Sequence, residues 1–333
     1  MKPRMHWRIA IFTIALTGVF ISCSKDSNKS SSNQTTVQTQ ADDQAMVSNE
    51  SDNLANDANA SLTSQSSING ESARSLHSGN TVVNSVETQI LGVDSVSNTS
   101  LICDATVVTD TTVNPRTISI TYNGTNCWGN RTRTGTVIIS IPTGIHWMDA
   151  GAVVTITVQN VTITRLKDGK TITINGTRTM TNVSGGSMTD LASDGTIIHG
   201  ISDNLSITFS SNLVRTWQVS KQRVFTYNNG IVMTTTGTHS DGTYNNIAEW
   251  GTNRFGTAFE SLITVPKVFR QDCDYRLVSG QNQILRSDSL NSTITYGLDI
   301  TGNPTSCPGS GTYYLELIWT FPNGKTAPII LPY

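Results

Sequence analysis

Five cysteines, five histidines and a scatter of acids are the residues of this 333-residue chain best able to do chemistry. Behind an N-terminal Cys23 stand Cys103, Cys127, Cys273 and Cys307. They form no C-x-x-C pair and have no histidine beside them, so the spacing offers neither a zinc site nor a dithiol redox motif. An even set of four in an exported chain fits disulfides, with three possible connectivities. The signatures G-x-S-x-G, H-E-x-x-H and G-x-x-x-x-G-K-[ST] are absent. His146 and Asp149 share one loop, where a polar loop with Trp147 tucked inward is the simpler reading than an acid/base pair. Glu249 and Glu260 resemble a glycosidase pair only in residue type, because nothing in the sequence gives their separation. Trp128, Trp217, Trp250 and Trp319 lie in strand-like sequence, where core packing is the default and a sugar platform the rival. Trp319 shares parity with Tyr313, Leu315 and Leu317, which argues for core. Arg131 and Arg133 read as a solvated strand face. No catalytic residue, metal site or cofactor is expected.

The cysteines sit in what looks like a duplicated module, spanning about 101–144 and 271–326. Each first cysteine is followed by aspartate, Asp104 or Asp274, and each second cysteine by a Gly-Thr pair that opens an apolar strand. The duplication favours the bridges Cys103–Cys127 and Cys273–Cys307, one per module.

From residue 81 to 333 the periodicity is that of strands. Between Lys170 and Met180, Ile172, Ile174 and Met180 share one parity, and Thr171, Thr173, Thr177 and Thr179 the other. That alternation predicts one buried and one wet face. The parity of valine and isoleucine flips at Gln159-Asn160, which predicts a bulge. Asn123-Gly124, Asp168-Gly169, Asp194-Gly195, Asn229-Gly230, Asp241-Gly242 and Asn323-Gly324 predict tight turns. The expected fold is all-β: an antiparallel, hairpin-rich β-sandwich or an extended twisted meander, preceded by a disordered tether. A membrane β-barrel fits poorly, since Pro328 and Pro332 fall in the last strand.

At the N-terminus, Lys2, Arg4 and Arg8 precede an apolar run from Ile9 to Ile21 that is too short to span a bilayer. Residues 1–22 therefore read as a signal peptide. Phe20-Ile21-Ser22-Cys23 resembles a bacterial lipobox, which implies acylation of Cys23. Cys23-Ser24-Lys25-Asp26 is similar to the export signal of surface lipoproteins of the Bacteroidota. Residues 23–80 read as a polar, lipid-anchored tether, with a short helix possible over 42–62, where Val47, Leu54, Ala58 and Leu62 recur at helical spacing. Loss of three basic residues with the signal peptide leaves 19 basic against 24 acidic side chains, a net charge of −5. On that total, anionic headgroups should add nothing, and the acyl chains must hold the membrane. The same balance argues against nucleic acid as a partner.

Lipobox, tether and Thr/Asn/Gly-rich β domain together resemble a group of Bacteroidota exported lipoproteins. The resemblance implies an outer-membrane location, with the cell surface expected and the periplasmic face as alternative, and implies no defined activity. The expected role is non-enzymatic binding, adhesion or envelope structure through a glycan or protein ligand. A glycan-binding or glycan-cleaving lipoprotein is the rival.

Overall fold

The computed structural model describes residues 27–70, 102–126, 129–273, 276–307 and 312–333. Two helices come first, α1 (Ser27–Ser64) and α2 (Ser66–Asn69). Fourteen strands follow: β1 (Ala105–Asp110), β2 (Arg116–Thr125), β3 (Arg131–Ile141), β4 (Ala152–Arg165), β5 (Lys170–Asn182), β6 (Thr196–Phe209), β7 (Val214–Tyr227), β8 (Ile231–Gly237), β9 (Ile247–Thr252), β10 (Ala258–Arg270), β11 (Arg276–Arg286), β12 (Asn291–Leu298), β13 (Tyr314–Thr320) and β14 (Thr326–Pro332). A short helix α3 (Leu191–Asp194) sits between β5 and β6. The chain divides into two units at Ala45 and Met46. The second contains the last part of α1 and every strand.

All fourteen strands belong to one antiparallel sheet whose order follows the chain, apart from β9. The meander expectation therefore holds and the two-sheet sandwich does not. Strands β8 and β9 share a lane: β7 pairs with β8 through 221–227 and with β9 at Gln218 and Val219, and β10 likewise touches both. The lane is interrupted by the 238–246 loop. Gly237 closes the interruption, since a Cβ there would lie 2.1 Å from the Asn246 carbonyl oxygen.

Strand β5 obeys the predicted alternation. Ile172, Ile174 and Met180 are buried, and the intervening threonines are partly or fully exposed. The outer threonines pair across strands, Thr162 with Thr173 and Thr164 with Thr171, each at 2.9 Å. The bulge falls where the parity flips: the β4–β5 register slips between Val158 and Val161, and Asn160 has φ 51°. Asp168-Gly169, Asn229-Gly230 and Asn323-Gly324 close hairpins, Asp241-Gly242 lies in the 238–246 loop, and Asp194-Gly195 ends the helix α3 instead. Asn123-Gly124 lies inside β2, paired with Thr134 and Arg133. There the Asn123 N–H donates to the Asp104 carbonyl at 2.8 Å.

The tether expectation needs correction. Helix α1 starts at Ser27, far ahead of residue 42, and its stretch from Met46 onward is built into the sheet. Val47, Leu54, Ala58 and Leu62 are buried, as a core-facing stripe should be. Ser51, Ala55, Asp57, Asn59 and Ser61 are buried too, so the sheet's concave inner face surrounds the helix rather than capping one side. Small residues make this possible, since alanine and serine let strands approach the helix backbone closely. At the far end, the Ile68 carbonyl accepts the Trp147 N–H at 2.9 Å, and Trp147 Nε1 donates to Asn59 at 3.0 Å.

Candidate functional site

A helix of serine, asparagine and aspartate inside a sheet must meet polar partners, because a buried unpaired charge costs several kcal/mol. The strands supply them from inward-facing positions. Arg133 of β3 forks onto Asp104, with Nε at 2.7 Å and Nη2 at 2.6 Å, and reaches Asp57 of α1 with Nη1 at 2.7 Å. Tyr122 donates its hydroxyl to the same Asp57 oxygen at 2.7 Å. Burial pushes the Asp57 carboxyl up against the pull of Arg133, which Asp104 shares. The solvated reading of Arg133 is thus overturned, since only 4% of its side chain is exposed. Arg131, one pleat away, holds Glu50 at 2.7 Å.

Further along the helix, Arg178 of β5 forks onto Asp203 of β6 and donates to Ser51 at 2.6 Å. Lys221 and Arg223 of β7 both face Asp52, at 3.4 and 2.9 Å. Burial alone would raise the Asp52 carboxyl, but these two cations outweigh it and hold it at about 2. Lys221 also meets Glu249 at 2.6 Å, and Glu249 accepts from Ser48 at 2.8 Å. Arg223 donates to Asn56 at 2.9 Å. His199 lies beside this chain of charges, between the rings of Trp147 and Phe225 at 5.1 Å each. Burial, with Arg223 nearby, pushes its imidazole down to about 3, so it is neutral at physiological pH.

The network pairs its acids with cations but leaves Arg178 Nη1 and Arg223 Nε buried without a hydrogen-bond partner. Each acid named above is held by at least one cation, and the helix joins the cations of β3, β5 and β7. Sequence reading missed it, although the signal was available: Arg178 shares parity with Ile172 and Ile174, and an arginine on a buried face demands an acid.

The expected site residues fall as follows. Cys273 and Cys307 form a disulfide, with Cα atoms 5.0 Å apart. Cys103 is disulfide-bonded too, while Cys127 lies outside the described residues, as does Cys23. The bonded pair brackets the β11–β12 hairpin, and Cys103 precedes the β1–β2 hairpin, so the two modules occupy opposite ends of the sheet order. His146 and Asp149 make an exposed polar loop: the Asp149 carboxylate accepts the His146 backbone N–H at 2.7 Å while Trp147 is buried.

Glu249 and Glu260 do not form a pair. Glu249 is level with Ser261 and faces inward, whereas Glu260 is level with Trp250 and faces outward. Trp217 and Trp319 are core, and Trp128 lies outside the described residues. Trp250 is half-buried on the outer face, stacked on His239 at 4.1 Å and 14°. Burial raises the Glu260 carboxyl beside it, as does Asp241, while His239 lowers it. Trp250, His239, Glu260 and Asp241 thus form an aromatic and acidic cluster around the 238–246 loop.

Among the described residues no helix is long and apolar enough to cross a membrane. Comparison of the chain with family models, with curated proteins and with solved structures gives no match.

Proposed function

We propose that the chain is a lipoprotein acylated at Cys23, held on the outer membrane and facing the medium, whose β domain binds a glycan or protein ligand without catalysis. The observation that carries this reading is the fate of the charged groups. Asp52, Asp57, Arg133, Arg178, Lys221 and Arg223 are bound to one another or to α1, so their charges serve construction. What remains to meet a partner is the outer face, with its rows of paired threonines and few charges. The location rests on the lipobox-like run ending in Cys23 and the polar residues after it.

Protease shaving of intact cells tests the reading, with Cys23→Ala as the unanchored control. Loss of the β domain while periplasmic markers survive is the expected result. Protection until the outer membrane is broken overturns surface exposure.

A second reading, glycan binding, is favoured by one specific observation: Trp250 is partly exposed on the outer face, with Glu260 beside it on the neighbouring strand. An indole edge with an adjacent carboxylate suits a sugar ring and its hydroxyls. Glycan-array binding that Trp250→Ala abolishes would establish it, and an array blank with the folded wild-type domain would remove it. Cleavage draws no support from Glu249, which is committed to Lys221.

A further inference from the structure

The sheet segregates charge between its two ends, which the net charge of the chain conceals. Antiparallel pairing puts the β4–β5, β6–β7, β9–β10, β11–β12 and β13–β14 tips at one end. Contacts knit these tips into a rim. The Leu166 N–H donates to the Asn130 carbonyl at 2.9 Å, tying β4–β5 to the β2–β3 connection. Arg254 lies 3.6 Å over the Phe209 ring, tying β9–β10 to β6–β7. The Ser287 N–H reaches the Ala258 carbonyl at 3.1 Å, tying in β11–β12.

This rim is basic. Its acids, Asp168 and Asp288, are each taken up by an arginine, Arg165 and Arg286. Lys167 and Lys325 are exposed and make no ion pair among the described residues. Glu50 is likewise taken up by Arg131, while Lys170 and Arg254 add further positive charge. The opposite end carries Asp110, Asp149, Asp190, Asp194, Asp272 and Asp299 at its strand ends and connections, against Arg116, Arg270 and Arg276. Apolar side chains stand out of the basic rim at successive tips: Leu166 is 47% exposed, Leu213 41% and Phe255 50%. The acidic end also has exposed apolar residues, Val183 and Ile300 among them, but without surplus cations.

Exposed apolar tips beside Lys167 and Lys325 suit the boundary of an anionic bilayer, where apolar burial and headgroup attraction add. The helix supports the same choice. Glu50 sits at this rim against Arg131, whereas Ser67 and Ile68 lie at the other end against Arg116 and Trp147. The β domain therefore begins, at Met46, on the basic side, 23 positions after Cys23.

We propose that the rim formed by the 166–169, 210–213, 253–257 and 321–325 tips seats the domain on an anionic lipid surface. This builds on the lipoprotein reading but is tested without the lipid. The full mature chain carrying Cys23→Ala is sedimented with phosphatidylglycerol-containing vesicles and with pure phosphatidylcholine vesicles. The expected result is binding to the anionic vesicles alone, weakened by 0.5 M NaCl. Lys167→Glu with Lys325→Glu should lower the partition about 10-fold or more, since each lysine near such a surface contributes roughly a five-fold factor. Leu213→Ser with Phe255→Ser should lower it too, while Val183→Ser with Ile300→Ser should leave it unchanged. Circular dichroism confirms that each variant is folded. Absence of binding to anionic vesicles overturns the proposal, as does equal loss from variants at the two ends. Failure of the anchor reading shows separately, as an intact mass of the native protein without acyl chains.

Discussion

Arg133 and Asp57 meet at 2.7 Å from positions 76 residues apart, one on the third strand and one on the helix that precedes every strand. Both side chains are almost wholly buried. The contact ties helix to sheet at a point where neither partner has water to fall back on. Arg133→Met strands Asp57 and Asp104 without their cation, and should cost about 3–5 kcal/mol in urea unfolding. Arg165→Ala, which breaks a pair with the exposed Asp168, should cost under about 1 kcal/mol. Equal losses would mean that the interior is wet.

Acidification should weaken the fold through His199. Its folded-state value of about 3 lies below the ordinary 6.5, so the unfolded chain takes up a proton that the folded chain refuses. Stability is full above pH 6.5 and is lost as the pH falls toward 3. The loss should be on the order of 2 kcal/mol by pH 4.5. Asp52 adds a second loss below its ordinary 3.8, in the same direction. Urea midpoints of wild type and His199→Leu between pH 7 and 4.5 provide the check: the variant should show the flatter profile.

The Cys273–Cys307 bridge closes a loop of 34 residues. In the chain-entropy account its loss should cost about 3–4 kcal/mol. Cys307→Ser should lower the unfolding midpoint accordingly. Reduction of the folded wild type should lower it at least as far, since Cys103 is bridged as well.

Gly237→Ala should be costly although its φ is unremarkable. The added methyl carbon meets the Asn246 carbonyl oxygen, which is backbone and cannot swing away. A loss of about 1–3 kcal/mol is expected, together with loosened hydrogen exchange across 238–246. Thr236→Ala, one residue earlier, should be nearly neutral.

What the sequence made legible was period and punctuation. The Ile/Thr alternation of β5, the bulge at Asn160 and the core side of Trp319 all follow from side-chain parity, a local property. The Asp-Gly and Asn-Gly turns followed as well, except Asn123-Gly124, where pairing with β3 overrode turn propensity, and Asp194-Gly195, which ends a helix. The helix was legible only as the apolar stripe over 42–62; its length and its burial against the sheet were not. Ser51, Asp52, Asn56 and Asp57 look like a solvated tether because their partners, Arg178, Arg223 and Arg133, lie far along the chain. A polar segment resembles a linker until the strands are seen to offer it charges. The basic rim was hidden for a related reason, because a net charge adds the two ends together and cancels them.

The helix threaded through the sheet also sets an order of events. It is synthesised before any strand, and alone it has almost nothing to hold it in shape. Apart from β9, each new strand needs only its immediate predecessor to pair with, so the sheet can lengthen as the chain arrives. The cations that grip the helix arrive in succession, from Arg133 on β3 to Arg223 on β7. The domain is therefore wrapped around a core that is already waiting, and one whose first segment is cut away has no neutral way to close: Arg223 would lose both Asp52 and Asn56. Expression of residues 81–333 alone should give aggregate, while the same fragment supplied with a peptide of residues 42–70 should fold.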